Sequence, residues 1–423
     1  MSKQANDPNR QYETLIDEWV IAALLQGSCT LTELFKAIPG VYPVLVLEAV
    51  SRLVLAQKID AQIAAKIIKT AQRATSKPAD RYARPQRLPL PVPHPLDYDW
   101  RFSEAAIRKL TSLCLESTQA GDIVALLGVP SVFAMAMELT SQRTLVLIDA
   151  NPAIVELLGK GYSNETILRC DLLKDPVPEV GAAAVVLDPP WYMEYFTAFF
   201  WAATRLCAMG GKVLVSLPPL GTRPGIEYER AELLTYANQL GLTLETLSPA
   251  ALPYIMPPFE VNALSRANVW GIPPDWRRGD LAVFTKSQTI ETARPYVMEA
   301  TEPYWNEYRI GEVRIRVKPD EEKVFIDPKL VSLVEGDILL SVSRREPLRA
   351  KVDVWTSGNR VFACRGSGIL QQILKAAARE SSPEKEVSDW LARRLTEEER
   401  MLVQCAARQI DDIIKQEQQE YGY

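Results

Sequence analysis

The sequence predicts an α/β chain built on a mostly parallel sheet with helices on both faces, set between a helical front end and a tail of strands and helices. Three observations lead there. Apolar runs of strand length alternate with amphipathic stretches from residue 98 to about 288, two of those runs close on an aspartate and a third is followed by one, and the composition breaks sharply on either side. Strand–helix alternation favours a parallel sheet, because each crossover helix packs back onto the sheet it left. Ligands of such sheets collect at the carboxyl ends of the strands.

Residues 1–75 read as helices. "YETLIDEWVIAALLQG" carries apolar residues at helical spacing up to a stop at Gly27, "TLTELFKAIPG" restarts from Thr30 as a cap, and "PVLVLEAVSRLVLAQ" follows. Three short helices and a tight turn fit a helix-turn-helix or winged-helix-like domain, and equally an all-helical packing or dimerisation domain. Across 76–97, Pro78, Pro85, Pro89, Pro91, Pro93 and Pro95 exclude a helix or central strand, so the segment reads as an extended linker. Arg81, Arg84 and Arg87 make it a solvated basic run, and His94 lies between two of its prolines.

Seven runs supply the sheet over 98–288: "DIVALL", "RTLVLID", "TILRC", "AAVVLD", "GKVLVSL", "LTLETL" and "DLAVFT". From 289 to 370 the short runs "VRIRV", "KVFID", "DILLSV" and "RVFAC" predict a small antiparallel β unit. Residues 371–423 read as helices, with Leu391, Leu395, Leu402, Ile410 and Ile413 as the packing stripe.

The bulk numbers exclude several classes. A formal charge of -5 over 423 residues is no polycation, so nucleic-acid binding would need a local patch. No run approaches the roughly 20 apolar residues of a membrane span, and the chain reads as cytoplasmic, with no membrane partner. Six scattered cysteines without a CxxC pair and a single histidine argue against zinc, so no metal site is expected.

The chemistry gathers at strand ends. Asp149 closes "LVLID", Asp171 follows "ILRC" and Asp188 closes "AVVLD", so all three fall on one rim. The first strand runs into "LLGVPSV", where Gly128 permits a tight turn and Pro130 and Ser131 suit a helix start. After the fourth strand comes Asp188-Pro189-Pro190-Trp191. Proline has no N–H and a fixed φ, so the pair presents carbonyls as rigid acceptors beside a carboxylate. An amine whose two N–H groups are held by Asp188 and the Pro189 carbonyl would be turned into an attacking nitrogen, and Trp191 offers a ring for stacking.

This succession resembles class I S-adenosylmethionine-dependent methyltransferases with a Rossmann-like seven-stranded core, and the DPPW motif resembles that of amino-group methyltransferases acting on adenine N6, cytosine N4 and some protein amines. "ALLGVPSVFAMAMEL", "LIDANP", "RCDLL" and "VVLDPPWYMEY", with "DYDWRFSEAAIRKL" upstream, are similar to the N6-adenine-methyltransferase-like family that includes elongation-factor lysine methyltransferases. The resemblance covers roughly residues 97–220. It implies S-adenosyl-L-methionine as cofactor, with Gly128, Pro130 and Ser131 beneath it, Asp149 on the ribose hydroxyls and Asp171 near the adenine amino group. One glycine stands where the usual loop has three. Branched-polyamine synthases are a second resemblance, since they too place a winged-helix-like domain before a core with a DPP motif; here the turn lacks their acidic cluster, and Trp191 stands where they carry an acid.

The expected reaction is methyl transfer to an amino group, with adenine N6 in nucleic acid as leading acceptor. Protein lysine, aminopropyl transfer and a non-catalytic nucleic-acid-binding scaffold are the alternatives. Tyr192 and Tyr195 would line the acceptor site, and Arg266, Arg277 and Arg278, in the long loop before the last strand, are candidate phosphate contacts.

Overall fold

The computed structural model describes residues 8–28, 30–72, 90–139, 142–162, 166–296, 304–320 and 322–421. Arg81, Arg84 and Arg87 lie outside them. Four helices open the chain: α1 (Pro8–Leu25), α2 (Leu31–Ala37), α3 (Pro43–Leu55) and α4 (Ala61–Gln72). Thr30 caps α2 in a reciprocal box with Glu33, as the sequence leads one to expect. No strand precedes Arg101 among the described residues.

The helices do not stand apart from the core. Ile16, Val20, Leu34, Val46, Val50 and Ile67 share one apolar cluster with Met256, Val261, Leu264, Val269, Ile272 and Trp276 from the helix-containing segment before the last core strand. Gly271 shows how close the approach is, because a Cβ there would sit 2.2 Å from the Thr70 carbonyl oxygen. Tyr12 likewise donates its hydroxyl to the Gly221 carbonyl at 2.6 Å.

The core sheet holds the seven expected strands plus one. In chain order the elements are β1 (Arg101–Phe102), α5 (Glu104–Glu116), β2 (Ile123–Leu127), α6 (Pro130–Leu139), β3 (Thr144–Asp149), α7 (Pro152–Gly161), β4 (Thr166–Arg169), β5 (Ala182–Leu187), α8 (Met193–Leu206), β6 (Cys207–Leu217), α9 (Ile226–Gln239), β7 (Leu242–Ile255), α10 (Pro258–Arg266) and β8 (Arg278–Lys286). The spatial order is β1-β7-β8-β6-β5-β2-β3-β4. β4, β3, β2, β5 and β6 run parallel, β8 enters antiparallel between β6 and β7, and the two-residue β1 pairs with the end of β7. Val124 to Leu127, Leu145 to Ile148 and Ala184 to Leu187 are buried, the near-continuous apolar runs expected of strands covered on both faces. Strand order reverses at β2, with β3 on one side and β5 on the other, which makes their carboxyl ends the natural ligand crevice.

The tail folds into a five-stranded antiparallel sheet ordered β11-β13-β12-β10-β9, from β9 (Asn306–Ile310), β10 (Val313–Val317), β11 (Lys329–Ser332), β12 (Val354–Thr356) and β13 (Val361–Arg365). Two expected strands are absent. "KVFID" is irregular, and "DILLSV" keeps a single bridge, Ile338 to Arg360, before leaving the sheet for the core's carboxyl rim. Helices α11 (Ser367–Arg379), α12 (Pro383–Leu391) and α13 (Glu397–Tyr421) cover this sheet. On α13 the buried line is Val403, Ala406, Ile410 and Ile414, displaced from the expected stripe, in which Leu402 and Ile413 are only half-buried.

Residues 90–97, expected as solvated linker, form instead a buried strap between the core and this second sheet. His94 is fully buried, its Nε2 3.1 Å from the Trp355 carbonyl oxygen while Nδ1 accepts from Leu96 N–H. The neutral ring is favoured, since burial and then Arg316 and Arg314 push its pKa well down. At the strap's end Asp97 and Glu307 both receive Arg314 and Arg316, and Arg314 also donates to the Val92 carbonyl at 2.9 Å. No helix among the described residues is long and apolar enough to cross a membrane.

Candidate active site

A cavity of ≈ 1920 Å³ opens at the carboxyl ends of β2, β3 and β5. A site for one small ligand usually occupies about 300–1,000 Å³, so this one has room for two. Its floor comes from the core: Gly128, Pro130, Asp149, Asp171 and the whole Asp188-Pro189-Pro190-Trp191 segment line it. The opposite wall comes from the second sheet, through Trp305, Glu307, Arg316 and Ser341 to Arg345. That wall was invisible in the sequence, where "DILLSV" read as one more strand.

Four of the five residues expected at the cofactor, Gly128, Pro130, Asp149 and Asp171, meet on this cavity. Gly128 turns the chain after β2 with φ +64°, in the left-handed region that glycine enters freely. Pro130 begins α6 on the cavity, whereas Ser131 is buried behind it and lines nothing. Asp149 is 9% exposed and accepts from Asn151 N–H at 2.8 Å. Burial pushes its carboxyl up to about 7, with the Asn151 bond opposing. Asp171 is more open and already engaged by Lys174 at 3.1 Å and by Leu173 N–H at 3.0 Å.

At the end of β5, Asp188 Oδ1 accepts the Tyr254 hydroxyl at 2.6 Å, and the Ser216 hydroxyl lies 2.6 Å from that of Tyr254. Tyr254 belongs to β7 and Ser216 to β6, so the sheet itself sets this row. Burial raises the Asp188 carboxyl to about 7, against the Tyr254 bond, Arg277 and Ser216, which favour the ionised form. A carboxyl poised there both accepts N–H groups and takes a proton near neutrality. Pro190 turns the chain away, its carbonyl accepting Tyr192 N–H at 2.7 Å, and α8 starts immediately.

The aromatic and basic residues depart from expectation. Trp191 is only 7% exposed; the Arg277 guanidinium lies over its ring at 4.3 Å and Tyr254 meets its edge at 5.7 Å. The same guanidinium lies 4.3 Å from the Trp100 ring, so Arg277 lines the cavity clamped between two indoles. Glu260, 4% exposed, completes the cluster; burial raises its carboxyl to about 7, with Arg277 and Tyr42 opposing. Arg266 and Arg278 do not line the cavity. Arg266 pairs with Glu335 at 2.9 Å, and Arg278 with Asp275 at 2.9 Å. Tyr192 and Tyr195 do line it, together with Tyr98.

Tyr254, Ser216, Trp100 and Glu260 are functional candidates that sequence reasoning missed. Trp100 sat in the quoted "DYDWRF" segment, but nothing in spacing marks a tyrosine near the end of a fourteen-residue strand as the partner of an aspartate 66 positions away.

No family model and no curated relative matches the chain. Solved structures do. The branched-chain polyamine synthase of Thermus thermophilus is 16% identical with a TM-score of 0.51, over 67% of this chain and 90% of that one. Its C9 mutein is 14% identical with a TM-score of 0.52, over 68% and 93%. With the strand order and the rim geometry, this likeness shows the fold: a Rossmann-like core with an N-terminal helical unit, to which a β-plus-helix extension is added.

Proposed function

We propose that the protein is an S-adenosylmethionine-dependent transferase that alkylates an amino group held at Asp188. The observation that carries this reading is the buried Asp188 carboxyl, joined to Tyr254 and followed by Pro189 and Pro190, on the same cavity floor as the Gly128 turn and Asp149. The floor fits the cofactor: a carboxylate at the end of β3 suits the two ribose hydroxyls, and the glycine turn allows close approach. The bound sulfonium would supply an activated alkyl carbon. Asp188 would hold the acceptor nitrogen with its lone pair turned toward that carbon and would take up the proton the nitrogen gives up. Tyr254 and Ser216 hold that carboxylate in line, and positioning accounts for much of the rest.

Methyl transfer to an aliphatic amine is the version the surroundings favour. Trp191, the ring best placed to stack an adenine, is buried beneath Arg277, whereas the Asp188 carboxyl, a base near neutrality, suits an ammonium that must first lose a proton. Aminopropyl transfer is the second reading. It is favoured by the likeness to a polyamine synthase whose structure holds N4-aminopropylspermidine and 5'-methylthioadenosine. Incubation with S-adenosylmethionine or its decarboxylated form, against amines, protein and nucleic acid, separates the readings by co-product: S-adenosylhomocysteine reports methyl transfer and 5'-methylthioadenosine aminopropyl transfer. Neither product with any acceptor would refute the proposal.

A pH profile follows from the same carboxyl. The rate at limiting acceptor should rise about tenfold per pH unit below 7 and bend there, as Asp188 ionises. Stability should move the other way. Asp149, Asp188 and Glu260 are raised to about 7, so between about pH 4 and 7 the folded chain holds protons the unfolded chain has lost. The ligand-free protein should therefore melt at a lower temperature at pH 8 than at pH 6.

A further inference from the structure

Tyr98, Tyr192 and Tyr195 stand together on the cavity wall with ring centroids 5.8, 6.0 and 6.4 Å apart. Glu194 lies in the first turn of α8 between the last two in sequence. Tyr98 is held with φ +54°, a left-handed conformation that is uncommon for a bulky residue and carries strain. Its hydroxyl accepts from Arg349 at 3.2 Å, and the Arg349 guanidinium lies 5.6 Å from its ring. Strain that the surroundings sustain at a cavity wall suggests that the ring's place matters.

One side chain already uses this cluster as a cation site. The Arg344 guanidinium lies 5.3 Å from the Tyr192 ring and 5.9 Å from that of Tyr195, and it bonds Glu194. Its backbone N–H donates to the Tyr192 hydroxyl at 3.3 Å. Arg344 comes from the segment that leaves the second sheet after the lone Ile338 bridge, so no ladder of strand hydrogen bonds holds it there. Leu340, just before it, is 57% exposed.

We propose that Tyr98, Tyr192, Tyr195 and Glu194 form a binding site for an alkylammonium group of the acceptor, and that Arg344 is its internal occupant, displaced when the acceptor binds. Aromatic faces and a carboxylate are the groups that recognise an organic cation, and a guanidinium fills such a box with the same sign of charge. Because Tyr192 follows Asp188 by four residues, an acceptor cation in the box would lie along the wall from the attacking nitrogen. This rests on the amine-transfer reading and adds to it a second positive group on the acceptor.

The test is calorimetric titration of spermidine and of n-butylamine into the full-length protein and into Arg344→Ala and Arg344→Met. Both variants should bind spermidine about tenfold tighter than the parent, as the internal competitor is gone. Adding Tyr192→Leu or Glu194→Gln should abolish the gain. Affinity unchanged in both variants, or a gain that survives Tyr192→Leu, would overturn the proposal. If Arg344→Ala unfolds, Arg344→Met decides alone, since it keeps most of the side-chain volume. S-adenosylmethionine titrated into the same samples keeps the two failures apart: loss of cofactor binding would count against the transferase, and an unchanged amine affinity against the box.

Discussion

Asp188→Ala is expected to lower amine transfer by about a thousandfold while cofactor affinity changes less than about threefold, because the carboxyl acts on the acceptor and not on the nucleoside. Asp188→Asn is the sharper variant. It keeps the shape and an oxygen for the Tyr254 hydroxyl but cannot take a proton, so it should lose nearly as much rate and also lose the bend near pH 7. Tyr254→Phe should be milder, since Asp188 remains while one of its anchors is gone. Single-turnover transfer with tritiated methyl groups and cofactor titration are the measurements. Full activity in Asp188→Asn would remove the residue from the chemistry.

The largest effect on stability is expected at Arg314. Its side chain is 1% exposed and donates to Asp97 at 2.7 Å, to Glu307 at 2.7 Å and to the Val92 carbonyl. Arg314→Met leaves two largely buried carboxylates with less than their share of positive charge, and removing one partner of such a group costs up to about 3–5 kcal/mol. Thermal unfolding should shift down by several degrees. Arg314→Met combined with Asp97→Asn and Glu307→Gln should recover part of the loss, because the stranded charges go too. A single Arg314→Met protein as stable as the parent would contradict this account of how the second sheet is held. Asp97 and Glu307 also line the cavity, so weaker acceptor binding should accompany the loss.

Much of the core was legible because buried parallel strands announce themselves as apolar runs, and because an acid at the end of such a run has one place to go. Asp149, Asp171 and Asp188 reached one rim for that reason. Direction was harder to read than position. Arg277 and Arg278 are neighbours in sequence, yet one is clamped between Trp100 and Trp191 and the other pairs with Asp275 outside the cavity. Successive side chains of extended backbone point to opposite sides, and composition carries no such sign. Prolines in 90–97 leave only a single 3-10 turn, Pro95–Asp97, but regular structure and burial are separate matters; backbone without a ladder can be buried once Arg101 and Arg314 take the Pro91 and Val92 carbonyls. The second sheet's wall stayed hidden because a run such as "DILLSV" has the alternation of a strand and no partner to pair with beyond Ile338.

The strap has a consequence in time. Its two faces are covered by bodies more than two hundred residues apart in sequence, since Arg101 reaches the Pro91 carbonyl from one side and Arg314 the Val92 carbonyl from the other. Contacts of that span close late, after the loops between them have lost their freedom. The core can therefore gather its sheet while residues 90–97 still face solvent on one side, and docking of β9 to β13 is the step that seals them. A chain halted before that step would hold a nearly finished core with Val92, His94 and Leu96 bare, a short apolar stretch of the kind chaperones bind.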